Sequence, residues 1–151
     1  KKEEIALCCL TGAAGLEERM ENILLVFTGG GIGSVCRYLL TTHIGARFGT
    51  VFPWGTLTVN TIGSFLMGLI MGVLLLLTER AEISLAEPAR LLLTVGFLGG
   101  FTTFSSLSLE TLTLMRGDST FYVFANIASN LVLGLLAAWL GLMAARLLVV
   151  R

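Results

Sequence analysis

Charge is sparse in this sequence: Asp, Glu, Lys and Arg together make up 13% of 151 residues, and the two signs cancel to a net charge of zero. That balance argues for neither a nucleic-acid partner nor an anionic membrane surface. Cysteine is equally scarce. Cys8, Cys9 and Cys36 fit no disulfide framework and no metal-ligand spacing, and read as small apolar residues. There is a single histidine, His43, at the end of an apolar run and without a serine or cysteine arrangement beside it. No nucleophile-and-base pair or metal-ligand set can be assembled from such an inventory, so the chain is not expected to be an enzyme.

What the chain has instead is apolar length. Apolar residues make up 55% of it and are gathered into long runs, a pattern that only a membrane suits as solvent. A helix of about 20 residues crosses ~30 Å of hydrocarbon. Four such spans, at residues 23–44, 55–77, 89–115 and 121–148, are expected to make an all-α integral membrane protein with no room for a soluble catalytic domain. Gly45, Gly49 and Pro53 punctuate the first connection, Pro88 suits a helix opening, and Arg116-Gly117-Asp118-Ser119 is a turn. Residues 1–19 differ, because Lys1-Lys2-Glu3-Glu4 precedes only six apolar residues, too few for a span or a signal-peptide core. They are expected to be a non-essential leader or upstream extension, with an amphipathic interfacial segment as the other reading. Residues 20–151 then form the four-helix transmembrane domain.

Orientation is weakly specified. Apart from the leader, Arg80, Arg90, Arg146 and Arg151 fall on one side and Arg37, Arg47 and Arg116 on the other, so the positive-inside rule has little to act on. A chain so balanced can insert both ways round, and the two orientations can pair as an antiparallel homodimer about a two-fold axis in the membrane plane.

Two spans carry stripes of small and polar residues at every fourth position: Thr56, Asn60, Ser64, Gly68 and Gly72 in the second, Asn126, Asn130, Gly134 and Ala138 in the fourth. Small residues permit close helix packing. Carboxamides in hydrocarbon are costly unless they find partners or water, so Asn60, Asn126 and Asn130 suggest a narrow wet track. The third span is expected to be broken at mid-membrane by Gly96-Phe97-Leu98-Gly99-Gly100-Phe101-Thr102-Thr103-Phe104-Ser105-Ser106. Such a break frees carbonyls and amides that lipid cannot satisfy, and freed carbonyls suit a small cation. The alternative is an intact helix kinked at Gly99-Gly100, with Thr102 and Thr103 bonding back to the preceding turn.

With these residues the chain resembles the Fluc (also called CrcB) family of fluoride channels. The matching segments run from Gly29 to Tyr38, from Gly55 to Phe65 and from Gly96 to Glu110, in the family's order and with compatible spacing across nearly the whole chain from Met20. The resemblance implies a multi-pass protein of the inner (plasma) membrane, a dual-topology homodimer with two pores along its interface. It implies passive export of fluoride from the cytoplasm as protection against toxicity. It also implies a structural sodium ion at the dimer axis, held by main-chain carbonyls of Gly99 and Thr102. Fluoride, a second copy of the chain and lipid are the partners implied.

Carried over by position, Asn60 matches the family's pore-lining asparagine, and Phe104 the first of two pore phenylalanines, whose electropositive ring edge can face an anion. Hydroxyls of Thr103, Ser105 and Ser108 are suited to hydrating the path, and Asn126 and Asn130 fall, to within one turn, where the family has polar pore-side residues. Leu107 stands where the second phenylalanine belongs; it fills the space without a polarised edge. Glu110 matches a glutamate of the third span and is assigned a structural hydrogen bond near the pore mouth. Arg37 either snorkels to the interface or attracts anions in a vestibule. Phe101 is taken as a packing or lipid contact. A small four-helix proton-coupled exporter is the alternative function, but it needs an ionisable group deep in the membrane, and the first two spans contain no acidic residue. A purely structural membrane protein requires the asparagine stripes to be dry.

Overall fold

Long apolar runs leave backbone amides and carbonyls no partner but their own segment, and every regular element among the described residues is accordingly helical. A computed structural model describes residues 2–79, 86–117 and 120–149, with side chains from 15–77, 87–117 and 120–149. Arg80 and Arg151 of the arginine balance, Asp118 and Ser119 of the turn, and the side chains of Cys8 and Cys9 lie outside the described residues.

Helix α1 spans Lys2–Phe48. It runs through Met20 without interruption, so the division expected after residue 19 has no counterpart in secondary structure. It also carries Arg47, beyond the end expected for the first span at residue 44, and ends only at Gly49, whose φ of 79° suits a residue without a Cβ. Helix α2 spans Trp54–Glu79 and helix α6 Thr120–Val149. Between them, α3 (Ala86–Arg90) leads into a π-helix (Leu91–Leu98), then α4 (Gly99–Phe101), and α5 follows at Phe104–Met115. The π-helix was not anticipated. Four helical stretches, Gly15–Phe48, Trp54–Leu77, Glu87–Met115 and Thr120–Val149, are long and apolar enough to cross a membrane.

Two close crossings assemble the bundle. In the first, α1 lies against the π-helix and α4: a Cβ at Gly33 would strike the Phe97 carbonyl, and one at Gly100 the carbonyl of Gly30. In the second, the stripes of α2 and α6 meet, Gly68 against the Ala138 backbone and Gly141 against the Phe65 carbonyl. Absence of side chains at these points lets the backbones touch, which is how helices associate where lipid removes the hydrophobic drive. Val59, Leu98 and Phe101 form the buried core, with Cys36, Leu40 and Met67 packed around it. Phe101 is therefore a packing residue, stacked on Phe97 with ring centroids 5.8 Å apart. Cys36 acts as a small apolar filler.

Candidate functional site

Helical bonding stops at two residues. Thr102 is extended (φ −79°, ψ 158°), as is Thr103 (φ −152°, ψ 117°), and the α-helical ladder resumes at Phe104. Thr102 bonds back to the preceding turn, its N–H and its hydroxyl both donating to the Leu98 carbonyl at 3.0 and 2.9 Å. Its own carbonyl accepts from Arg37 Nη1 at 3.3 Å. Arg37 thus reaches inward from α1 rather than along the helix to its end.

The Thr103 N–H has no such local partner: it donates to Asn60 Oδ1 at 2.9 Å, while the Thr103 carbonyl accepts from Asn60 Nδ2 at 3.2 Å, so the carboxamide of α2 bridges the two peptide groups that flank this residue. The Thr103 hydroxyl accepts the Ser106 N–H at 3.1 Å, closing the first turn of α5 as an N-cap. It donates to Ser106 Oγ at 3.1 Å and lies 3.1 Å from Ser105 Oγ, from which it can accept.

From Asn60 the polar chain crosses to α6. Asn60 Nδ2 donates to Asn130 Oδ1 at 3.0 Å, and Asn130 Nδ2 donates to the Asn126 carbonyl and Oδ1 at 3.0 and 3.1 Å. Asn126 Nδ2 donates to Thr111 Oγ1 at 3.0 Å, which donates in turn to the Leu107 carbonyl at 2.7 Å. Three carboxamides at non-adjacent sequence positions thereby satisfy one another, because a polar group removed from water must be paired.

A cavity of about 470 Å³ opens beside this chain, lined by Asn60, Ser64, Thr102, Thr103, Phe104, Leu107 and Asn130 among mainly apolar neighbours. Phe104 is 79% exposed, an aromatic ring standing free at the cavity wall. Asn126, expected among the pore-side groups, is fully enclosed and supports Asn130 from behind. Ser105 is exposed beside Thr103, whereas Ser108 turns its hydroxyl back onto the Phe104 carbonyl at 3.0 Å. Glu110 Oε1 accepts from the Thr56 hydroxyl at 2.6 Å, and Glu110 Oε2 is buried without a hydrogen-bond partner among the described residues.

Four participants were not anticipated from the sequence. Thr56, Ser106 and Thr111 supply the hydrogen bonds just described, and Ser34 points its hydroxyl at the Gly100 carbonyl at 3.5 Å. Two of them left a signal: Thr56 opens the polar stripe of the second span, and Ser106 is the third residue after a threonine that opens a helix. Among the described residues no three His, Cys, Asp or Glu side chains gather to hold a metal, so a cation here would have to take main-chain oxygens. Gly99 is exposed, and the Thr102 carbonyl lies outside the helical ladder with one lone pair given to Arg37. These two oxygens are of the hard type a small cation prefers.

The sequence model of one family, described as "CrcB-like protein, Camphor Resistance (CrcB)", matches residues 24–142. Among curated proteins, the chain is similar to the fluoride-specific ion channel FluC of Geobacter sulfurreducens, 46% identical over 127 residues that cover 84% of this chain and 98% of that protein. It is 47% identical over 127 residues to the protein of the same name from Magnetococcus marinus, covering 84% and 99%. With that of Thermus thermophilus it shares 48% identity over 122 residues, covering 81% and 91%.

Proposed function

The chain belongs to the CrcB family of multi-pass membrane proteins, and on that premise we propose that it is a fluoride-selective ion channel through which fluoride leaves the cytoplasm passively. The observation that carries the reading is the convergence of Thr103, Phe104 and the Asn60–Asn130 pair on one cavity wall. Fluoride is small and strongly hydrated, so a pore must replace its water with donors too weak to trap it. A free phenyl edge and the rotatable, exposed hydroxyl of Ser105, backed by that of Thr103, meet that demand.

The working unit is an antiparallel, dual-topology homodimer in the plasma membrane, with the third span broken at membrane depth. The balance of arginines supports dual topology, and the extended pair Thr102-Thr103 supports the break. A structural sodium ion is held at the dimer axis by the Gly99 and Thr102 carbonyls of both copies; when bound it offsets the repulsion between two anion pathways. The guanidinium of Arg37 adds a second positive charge at the Thr102 oxygen. Glu110, held by Thr56, is a structural residue near the mouth, and Asn126 and Ser108 order the wall. Residues 1–19 are dispensable to conduction.

Purified protein in liposomes loaded with potassium fluoride tests the reading. After a potassium ionophore is added, fluoride should leave and chloride should not. No efflux, or equal rates for both halides, refutes the channel. Transport driven by a pH gradient alone would identify the proton-coupled exporter instead.

A further inference from the structure

The Asn60 carboxamide has two N–H groups, and both are occupied. One donates to the Thr103 carbonyl at 3.2 Å and the other to Asn130 Oδ1 at 3.0 Å, while Oδ1 accepts the Thr103 N–H at 2.9 Å. A carboxamide binds an anion through its N–H groups, and this side chain has none to spare. Its orientation is also dictated from behind. Asn130 spends its nitrogen on Asn126 at 3.0 and 3.1 Å, so it can offer Asn60 only an oxygen. A carboxamide facing that oxygen must present nitrogen there, which leaves its own oxygen for the Thr103 N–H.

We infer that Asn60 is a positioning residue: its carboxamide oxygen takes the place of the helical acceptor that the Thr103 N–H lacks, its nitrogen is a second donor to the Thr103 carbonyl, and it does not itself ligate the anion. The inference rests on the channel reading and concerns how that channel is held in shape. Thr103 is 7% exposed, so an unpaired N–H there would carry the full penalty of a buried orphan, whereas the carbonyl keeps its place as the first acceptor of α5. With Asn60 in place, Thr103 is held extended and its hydroxyl can cap α5 at Ser106. Phe104, the next residue, takes its direction from that cap. The Thr103 hydroxyl donates to Ser106 Oγ at 3.1 Å, so contact with fluoride falls to the Phe104 ring edge and to the Ser105 hydroxyl, whose hydrogen bond to Thr103 Oγ1 can be exchanged for one to an anion.

The test replaces Thr103 by its α-hydroxy acid, which exchanges the peptide N–H for an ester oxygen, and combines this with Asn60→Ala. Fluoride efflux from liposomes is measured for each dimer that elutes as the unmodified protein does. Each single change should lower fluoride flux about tenfold, the loss of one buried pairing, and the double change should lower it no further than the worse single. The ester also weakens the Thr102 carbonyl, so the coupling between the two changes is the decisive quantity. Effects that simply multiply, or an ester without effect beside an inactive Asn60→Ala, overturn the inference. In the unmodified protein, fluoride titration should leave the Asn60 side-chain amide proton resonances in place; a large downfield shift would make Asn60 a ligand and overturn it independently. Absence of fluoride flux in the unmodified protein is a different result, and refutes the channel reading itself.

Discussion

Asn126 shows most plainly how a residue's role depends on its partners. It is fully enclosed and donates to Thr111 while accepting from Asn130. Asn126→Ala removes both bonds and is expected to cost about 1–2 kcal/mol, the range for interhelical polar contacts in membranes, read as a lower thermal midpoint in detergent. Because Asn126 does not reach the cavity, fluoride-over-chloride selectivity of the folded variant should be unchanged. Leu107 is the opposite case, an apolar residue on the cavity wall next to Phe104. Leu107→Phe adds a second polarised edge facing the path and is expected to raise fluoride flux roughly two- to tenfold, the equivalent of the ~0.5–1.5 kcal/mol that oriented aromatic contacts contribute beyond burial. Unchanged or slower flux would show that this chain conducts without any use for that ring. Phe104 entered the expected site through the family resemblance alone; the four-residue spacing marked Asn60 and Asn130 as polar exceptions in apolar runs. It could not tell Asn126 from Asn130, one turn apart on the same stripe, because burial depends on the helix opposite.

Among the helices, the crossing of α1 with the π-helix and α4 determines where the extended pair sits. A Cβ at Gly33 would collide with the Phe97 carbonyl, and backbone cannot yield as a side-chain tip can. Gly33→Ala is therefore expected to destabilise by about 1–3 kcal/mol and to disturb flux, through the displaced α4. Gly45→Ala, on the same helix but with nothing within 4 Å of the new methyl, should be neutral or slightly stabilising. Equal effects from both would mean that helix propensity, not close approach, is at issue. The glycine clusters were legible as packing signals. The π-helix was not, because its sequence, Leu91–Leu98, has nothing to separate it from an ordinary apolar helix. Its first feature in space is the Thr94 hydroxyl on the Arg90 carbonyl at 2.6 Å, and its last is the Gly99 N–H shared between Gly96 and Thr94 carbonyls.

For the molecule as a unit, the chain leaves large apolar side chains such as Phe27, Leu39, Leu135 and Trp139 uncovered, as a membrane-embedded surface does. One protomer offers only two carbonyls, Gly99 and Thr102, to the proposed sodium, far short of the six or so oxygens a small hard cation takes. A second copy doubles that number. Replacing sodium by a large organic cation on both sides of the liposome should abolish fluoride flux and weaken the dimer; flux that persists would remove the ion from the mechanism. A chain beginning at Met20 should conduct as the full chain does, since the family match starts at residue 24. Loss of flux on that truncation would give the N-terminal part of α1 a role.

Hydropathy runs settled the class of this protein before any coordinates, because segments of ~20 apolar residues have one stable solvent and one stable backbone form. The succession of Gly, Thr and Ser after Gly96 likewise marked where regular helix would be hard to sustain. Which partners the interrupted backbone finds is a different matter. That Arg37 takes the Thr102 carbonyl, that Asn60 bridges the two peptide groups flanking Thr103 and that Asn130 dictates its orientation are contacts between helices far apart in sequence. A hydrogen bond is decided by distance and direction in space, and only the packing of α1, α2 and α6 around the third span supplies those.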